Sequence, residues 1–309
     1  MTLAPITVEV ERNGRVESEH LVDVAVVDAG GNLVAAAGDA ERRAAFRSSA
    51  KPLQAAAARE AGWVPGDERG LAIACASHNG EPGHLDAVCA VLSSAGLGED
   101  ALRCPRAWPL RRTSAWTGGE TRVAHNCSGK HAAMLAACAA AGWPLESYRD
   151  PGHPLQRAIL ARLQRLTSLP TLPVLVDGCG VPTILAPLSA LARAFASVAG
   201  SAEAAAMKAR PFLVGGTDRF DTALLSETVV TKGGAEGLSC TVVEGGPTVV
   251  AKSRDGAARP LGPAVIACLE QVDPTLVSSS RLDPFRNPPV LGGGEPVGAL
   301  RARGAPTWL

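Results

Sequence analysis

Ser48 and Lys51 are separated by two residues at the start of a predicted helix, residues 48–61. Positions i and i+3 of a helix lie on the same face, so the hydroxyl and the amine can come within hydrogen-bonding distance. Serine is a poor nucleophile until a base removes its proton, and an uncharged lysine can be that base. Because desolvation lowers the pKa of a lysine, a partly buried Lys51 could act near neutral pH. The spacing therefore predicts a serine nucleophile with its own base.

The same residues also have structural interpretations. Serine is a preferred N-cap residue, so Ser48 could simply cap the helix. Ser49 is a second candidate for the nucleophile, but it lies two residues from Lys51 and would point to another side of the helix. Lys51 could be an exposed lysine, as most lysines are. The geometry favours Ser48 as the nucleophile.

The elements that must position this pair follow a simple order along the chain. Residues 5–11 and 21–37 are predicted strands, and residues 244–247 are a predicted hairpin turn between two later strands. Helices are predicted between these ends, for example over residues 128–141. This order predicts an α+β fold whose antiparallel sheet is closed by both termini, with helices packed around it. No repeat or clear linker divides the chain, so we expect one domain over residues 1–309.

Composition narrows the class of partner. The chain has 30 basic and 30 acidic residues, so no charge excess favours nucleic acid or an anionic membrane, and a small-molecule substrate is expected. No run of eighteen apolar residues predicts a membrane span, and the first fourteen residues lack a secretory signal pattern. The eight cysteines are scattered through the chain, which favours reduced thiols over a disulfide framework. We therefore expect a cytoplasmic protein.

Five further segments accompany the serine–lysine pair in a fixed order. They are Ser77-His78-Asn79-Gly80-Glu81, His125-Asn126-Cys127-Ser128-Gly129-Lys130-His131, Asp177-Gly178-Cys179-Gly180-Val181-Pro182-Thr183, Gly216-Thr217-Asp218-Arg219-Phe220-Asp221 and Thr231-Lys232-Gly233-Gly234-Ala235-Glu236-Gly237. In this order and spacing, the set resembles the thermolabile, rhizobial-type L-asparaginases, also called class 3 asparaginases. The resemblance runs from about Val22 to the last predicted strand, which is most of the chain.

The resemblance implies a serine-dependent amidohydrolase whose fold is akin to those of serine β-lactamases and glutaminases. It also implies two serine–lysine pairs, of which the first is Ser48 with Lys51. The second pair would join Ser77 to Lys252, and it would pass a proton to the departing ammonia. The alternatives are a turn serine at Ser77 and a solvent-facing strand lysine at Lys252.

The resemblance further implies a zinc site built from Cys127, Lys130 and Cys179. Thiolates suit zinc, but lysine is an unusual ligand because it must first lose its proton. Without the resemblance, buried thiols are the simpler interpretation of the two cysteines. His131 adjoins the cluster, either as a fourth ligand, as a residue that contacts the ligands or substrate, or as an ordinary helix histidine.

An amino-acid substrate needs partners for its α-ammonium and its α-carboxylate groups. Asp177, next to Cys179, is the candidate partner of the ammonium, and a plain turn aspartate is its alternative. Arg47 adjoins the nucleophile and could hold the carboxylate through two hydrogen bonds, unless it is a surface arginine. With His131, these residues complete the predicted substrate site.

The sequence thus predicts hydrolysis of L-asparagine to L-aspartate and ammonia through an acyl-enzyme on Ser48. A glutaminase or another serine–lysine amidase is the nearest alternative, because one methylene changes binding by only ~1–3 kcal/mol. A β-lactam-binding acyl-enzyme is a further alternative, weakened by the absence of Ser-Asp-Asn and by Lys252-Ser253-Arg254 in place of Lys-Thr-Gly. A non-catalytic zinc-binding protein is the alternative from a different class. We expect a homodimer.

Overall fold

The computed structural model describes residues 3–112 and 116–309. The strands that it describes are β1 (Ile6–Arg12), β2 (Arg15–Val27), β3 (Leu33–Ala37), β4 (Arg43–Ala45), β5 (Val174–Val176), β6 (Pro182–Pro187), β7 (Val229–Gly234), β8 (Leu238–Val243), β9 (Thr248–Ser253), β10 (Pro289–Gly292), β11 (Glu295–Arg303) and β12 (Thr307–Trp308). The predicted mixture of strands and helices, an α+β fold, is confirmed.

The α-helices that it describes are α1 (Lys51–Glu60), α2 (Glu68–Ala74), α3 (Pro82–Ser94), α4 (Ser128–Ala141), α5 (Pro154–Thr167), α6 (Leu188–Ala196), α7 (Ala202–Ala209), α8 (Pro211–Val214), α9 (Phe220–Leu224), α10 (Leu261–Val272) and α11 (Asp283–Arg286). Single 3-10 turns occupy Arg47–Ala50, Glu99–Ala101, Pro274–Val277 and Ser280–Leu282. Within the described ranges, no helix is both long enough and apolar enough to cross a bilayer.

The chain packs as two compact units. The first comprises the residues up to Ser49 together with Leu185–Ala199 and Ala223–Leu309, and the second comprises Ala50–Ile184 and Gly200–Thr222. The first unit therefore contains most of the strands, whereas the second is mainly helical. Ser48 belongs to the first unit, and the lysine three residues later belongs to the second.

The first unit is built on one large antiparallel sheet. Its strand order is β10-β11-β1-β2-β9-β8-β7, with β3 paired to β2 and β12 paired to β3. The first and last parts of the chain meet in this sheet, because β1 pairs with β11 in the register Thr7↔Arg303. The edge strand β7 carries the Thr-Lys-Gly-Gly segment.

Burial explains why the central strands are so apolar. Val22, Val24 and Val26 alternate along β2 and are buried, and Ala25 and Val27 on the opposite side are buried as well. Every residue of β8 is also buried. Helices α6 and α10 pack on this part of the sheet, α6 against β2, β8 and β9 and α10 mainly against β9 and β11. Each fully buried valine contributes roughly 1.5–3 kcal/mol to the free energy of unfolding.

The second unit is organised around α4, which contacts α1, α2, α3 and α5. Residues Ser128–Cys138 of this helix are all buried, and most of them are alanine or another small residue. Gly129 lets α4 approach α2 closely, since a Cβ at this position would lie 2.1 Å from the carbonyl oxygen of Ile73. The helix ends at Gly142, whose left-handed backbone (φ +66°) terminates many helices.

Candidate active site

Ser48 lies in the 3-10 turn Arg47–Ala50, immediately before α1. The N-cap position of α1 is Ala50, so Ser48 does not occupy the capping position that its alternative interpretation requires. Ser48 is partly exposed, whereas Ser49 is fully buried. Ser49 Oγ donates a hydrogen bond of 2.8 Å to the carbonyl oxygen of Lys232. The hydroxyl of Ser49 therefore has a structural role, which leaves Ser48 as the better candidate nucleophile.

Arg47 adopts a left-handed backbone conformation, with φ +47°. A residue with a Cβ pays about 1–2 kcal/mol for this conformation, so the surrounding structure must hold it in place. Strained residues of this kind are concentrated at functional sites. The backbone at Arg47 thus marks the turn that presents Ser48, while the predicted contact of its guanidinium with a substrate carboxylate stays a prediction.

Lys51 is the first residue of α1 and has no exposed surface. Its Nζ donates hydrogen bonds to the carbonyl oxygen of Ala76 and, over 2.9 Å, to Ser77 Oγ. Ser77 is itself buried, and its backbone N–H donates to the carbonyl oxygen of Val214 over 2.9 Å. The structure therefore brings Lys51 together with Ser77, two predicted site residues that the sequence had assigned to different pairs.

Two lysines of the sheet differ in their surroundings. Lys252 on β9 is half-buried, donates to the carbonyl oxygen of Ser253, and has a pKa lowered by this partial burial. Lys232 on β7 is fully buried, and its Nζ donates to the carbonyl oxygen of Gly233 over 2.8 Å. The segment that contains Lys232 is one of the five motifs of the resemblance, but no role was predicted for this lysine. The sequence feature that could have indicated Lys232 is its position directly after Val229-Val230-Thr231. A charged residue is unexpected in a strand whose apolar residues predict burial.

The predicted zinc ligands form a buried cluster in the second unit. Lys130 Nζ lies 3.0 Å from Cys179 Sγ, and the thiols of Cys127 and Cys179 are hydrogen-bonded to each other. This hydrogen bond, supported by nearby lysines and opposed by burial, lowers the pKa of Cys127. The same bond and burial raise the pKa of Cys179. Burial opposes the charge on Lys130, but Cys179, Cys127 and Asp177 outweigh it and raise the pKa of the amine.

The donor set of this cluster fits zinc in type, because two sulfur atoms and a nitrogen converge in a site shielded from water. Zinc would have to displace the proton that Lys130 holds in this arrangement. Among the residues that the structure describes, no group of three or more His, Cys, Asp or Glu side chains could hold a metal. The zinc prediction therefore depends on Lys130 as the third ligand.

Asp177 and His131 both lie close to this cluster. Asp177 is buried, with Oδ2 3.9 Å from Lys130 Nζ and 3.6 Å from Cys179 Sγ. His131 Nδ1 and the Tyr148 hydroxyl share a hydrogen bond of 2.6 Å, and the hydroxyl also accepts the backbone N–H of Arg103. His131 Nε2 is a buried atom for which the described part of the chain supplies no hydrogen-bond partner.

Two neutral histidines lie beside Ser77. His78 Nδ1 accepts the backbone N–H of Gly80 over 3.1 Å, so the ring donates from Nε2 to Ser128 Oγ over 2.9 Å. His84 has the same tautomer, with Nδ1 accepting from the Glu81 backbone and Nε2 donating to the Phe212 carbonyl oxygen. Burial is the main cause that lowers the pKa of both rings. These two side chains are therefore uncharged parts of the scaffold.

Comparison with known families agrees with this description. The model of the L-asparaginase II family matches residues 8–302, which is nearly the whole chain. The chain therefore belongs to the L-asparaginase II family, and the predicted asparaginase family is confirmed. Membership supports an amidohydrolase that hydrolyses asparagine. A search of curated proteins finds none that matches this chain.

The neutral histidines predict loss of stability in acid. Below pH ~6.5 the histidines of the unfolded chain bind protons that His78 and His84 do not bind in the folded protein. The free energy of unfolding should therefore fall as pH falls, with a slope of up to ~1.4 kcal/mol per pH unit for each histidine. Urea unfolding at pH 7.5, 6.5 and 5.5 measures the slope. His78→Gln should reduce the slope, and an unchanged slope in this variant would contradict the assignment.

Proposed function

We propose that this protein hydrolyses L-asparagine to L-aspartate and ammonia through an acyl-enzyme on Ser48. The observation that carries this proposal is the fully buried amine of Lys51, which is hydrogen-bonded to Ser77 Oγ at 2.9 Å. Burying the amine of a lysine is costly unless the amine has polar partners. The full burial of Lys51 therefore distinguishes it from an ordinary surface lysine. The family match supports the substrate.

In the first chemical step, Ser48 Oγ transfers its proton to the uncharged amine of Lys51 and attacks the side-chain amide carbon of asparagine. The bond from Oγ to carbon forms, and the carbonyl oxygen takes the negative charge, which backbone N–H groups stabilise. The carbon–nitrogen bond then breaks, and the amide nitrogen leaves as ammonia with one added proton. Water attacks the resulting aspartyl ester and releases L-aspartate and the free Ser48 hydroxyl.

Ser77 is the proposed route for the proton of the leaving group. Because Lys51 Nζ donates to Ser77 Oγ, the proton taken from Ser48 can pass along this hydrogen bond. The same contact lets the proton return for the second step. Ser48, Lys51 and Ser77 together would form a serine–lysine–serine relay for this proton.

A second lysine would restore the proton on Ser77, as the resemblance implies for Lys252. We propose that the second proton-transfer lysine is instead Lys232, which belongs to the same unit as Ser48. Lys232 is fully buried, and its carbonyl oxygen accepts the Ser49 hydroxyl next to the nucleophile, whereas Lys252 is half exposed. The contrast between the two lysines makes their roles separable by mutation.

Substrate recognition is proposed to use the residues that the sequence assigned to it. Asp177 would bind the α-ammonium group and Arg47 the α-carboxylate group, by charge. The buried Nε2–H of His131 would donate to a substrate oxygen, which would satisfy a group that has no partner within the described residues. Asparagine is favoured over glutamine by the family match alone.

Zinc is proposed as a bound ion held by Cys127, Lys130 and Cys179. When bound there, it would supply a fixed positive charge that positions the substrate. We expect about one zinc per chain in the purified protein, as in a site with three protein ligands and one open position. Elemental analysis should find this zinc lost in Cys179→Ala and retained in Cys268→Ala, a matched change of a buried cysteine on α10. Wild-type protein without zinc would contradict the site.

Five further predictions go beyond the family match. They are membership of the thermolabile rhizobial class, a fold related to serine β-lactamases with a sheet closed by both termini, one functional domain over residues 1–309, a homodimer and a cytoplasmic location. The pairing of β1 with β11 supports the second of these, and the match over residues 8–302 supports the third.

Replacement of the two neighbouring serines should give opposite results. Ser48→Ala should fold normally and lose ammonia release from L-asparagine by at least ~1,000-fold, because the nucleophile is gone. Ser49→Ala should retain turnover and lower the free energy of unfolding by about 1 kcal/mol, because it removes one buried hydrogen bond. Coupled ammonia assays and urea unfolding measure both effects. Turnover retained in Ser48→Ala would disprove the mechanism, and release from glutamine alone would change only the substrate.

The two sheet lysines provide a second comparison. Lys232→Met should reduce kcat by about 100-fold, which is the lower end of the ~10²–10⁴ range for the loss of one proton-transfer group. Lys252→Met should stay within about threefold of wild type, because the proposed reaction does not use Lys252. Steady-state kinetics with L-asparagine distinguish the two. The reverse order of effects would restore Lys252 to the role that the sequence assigned to it.

A further inference from the structure

Glu81 is a buried carboxylate that the proposed reaction does not use. It lies at the N-cap position of α3, four residues after Ser77. Glu81 Oε2 accepts the backbone N–H of Thr217 over 2.9 Å, and Oε1 accepts the Thr217 hydroxyl over 2.6 Å. Asn79 Nδ2 donates to Oε2 over 3.3 Å, and Arg111 Nε lies 3.7 Å from Oε1. Two of the three hydrogen bonds described here therefore come from Thr217.

These bonds join two segments that are distant in sequence. We call residues 77–81 the serine segment and residues 214–217 the clamp segment. The backbone N–H groups of Ser77 and Asn79 donate to the carbonyl oxygens of Val214 and Gly215, each over 2.9 Å. Asn79 Nδ2 also donates to the carbonyl oxygen of Thr217 over 2.9 Å. The clamp segment therefore hydrogen-bonds to the backbone of Ser77 directly. Glu81 hydrogen-bonds to Thr217, at the other end of the clamp segment.

Gly216 shows how closely the two segments approach. Its φ of +112° is accessible mainly to glycine, and a Cβ there would lie 2.4 Å from Glu81 Oε2 and 2.6 Å from Asn79 Nδ2. Thr222 Oγ1 donates to the carbonyl oxygen of Gly216 over 2.8 Å and accepts its N–H over 3.1 Å. The clamp segment is thus fixed on both sides, by Glu81 on one and by Thr222 on the other.

The carboxylate is built to stay ionised. Burial raises the pKa of Glu81, but the hydrogen bonds from the hydroxyl and N–H of Thr217 and from Asn79 outweigh burial, so that the net change in pKa is downward. Hydrogen bonds to an ionised carboxylate are roughly twice as strong as those between neutral groups. This strength suits a residue whose task is to hold a backbone segment in one position.

We propose that Glu81 is a positioning residue for Ser77, which acts by fastening the clamp segment to the serine segment and so holds Ser77 Oγ against the Lys51 amine. The inference rests on the proposed role of Ser77 in proton transfer. The hydrogen bonds of Glu81 described above come from Thr217 and Asn79, so we expect its effect on the rate of the chemical step. A displacement of about 1 Å at a reacting group can reduce the rate by ~100-fold.

Thr217 offers a mild test with a matched pair of variants. Thr217→Val removes only the hydroxyl that donates to Glu81, and Thr217→Ser retains it. Thr217→Val and Glu81→Gln should each lower kcat for L-asparagine by about 10- to 100-fold, with KM changed less than about threefold. Thr217→Ser should keep kcat within about threefold of the wild-type value. Equal rates in the Val and Ser variants would overturn the proposal.

A double-mutant cycle shows whether Glu81 acts through Ser77. If it does, Glu81→Gln should lower kcat by less than about threefold when added to Ser77→Ala, because the group that it positions is already absent. An equal loss in both backgrounds would show a general structural effect and overturn the positioning role alone. Full turnover in Ser77→Ala would instead overturn the proposed relay, and the positioning role with it. The two failures are therefore distinguishable.

Discussion

The second unit depends on keeping one lysine amine out of water. Lys51 has no exposed surface, and its Nζ is held by the carbonyl oxygen of Ala76 and the hydroxyl of Ser77. An amine buried without such partners would cost several kcal/mol, so α1 and the segment after α2 must stay in one relative position. Helix α4 contacts both α1 and α2, and it reaches α2 only because Gly129 has no side chain. The alanine-rich packing therefore maintains the contact between Lys51 and Ser77, on which the proposed mechanism depends.

Local sequence signals predicted many of the elements. Residues 128–141 were predicted as a helix and form α4, and the turn predicted at residues 244–247 connects β8 to β9. Residues 278–294 are rich in serine, proline and glycine and show no periodic pattern, yet they contain α11 and β10. The strand β10 exists because β11 lies beside it, in the register Pro289↔Ala299. Such pairing depends on a partner that no local pattern reveals.

In the candidate site too, local sequence predicts some features and not others. Residue types and motif order identified Ser48, Lys51 and Ser77, and the family match agrees with the class that they indicated. The contact between Lys51 and Ser77 spans 26 positions, and the contact between Glu81 and Thr217 spans 136, so neither could be predicted from spacing on one helix. No role was predicted for Lys232, because the glycines that follow it indicate a turn. Only its burial in β7 distinguishes it from an ordinary strand lysine.

The central claim is that Ser48 carries the aspartyl group during turnover. Acid quenching of the protein during steady-state turnover of L-asparagine, followed by protease digestion and peptide mass spectrometry, would test it most directly. The account predicts an aspartyl ester on the peptide that contains residues 47–51, located at Ser48 by fragmentation and absent when substrate is omitted. An ester on Ser77 or Ser49 would contradict this account of the nucleophile. Rapid turnover with no ester on any residue would contradict covalent catalysis itself.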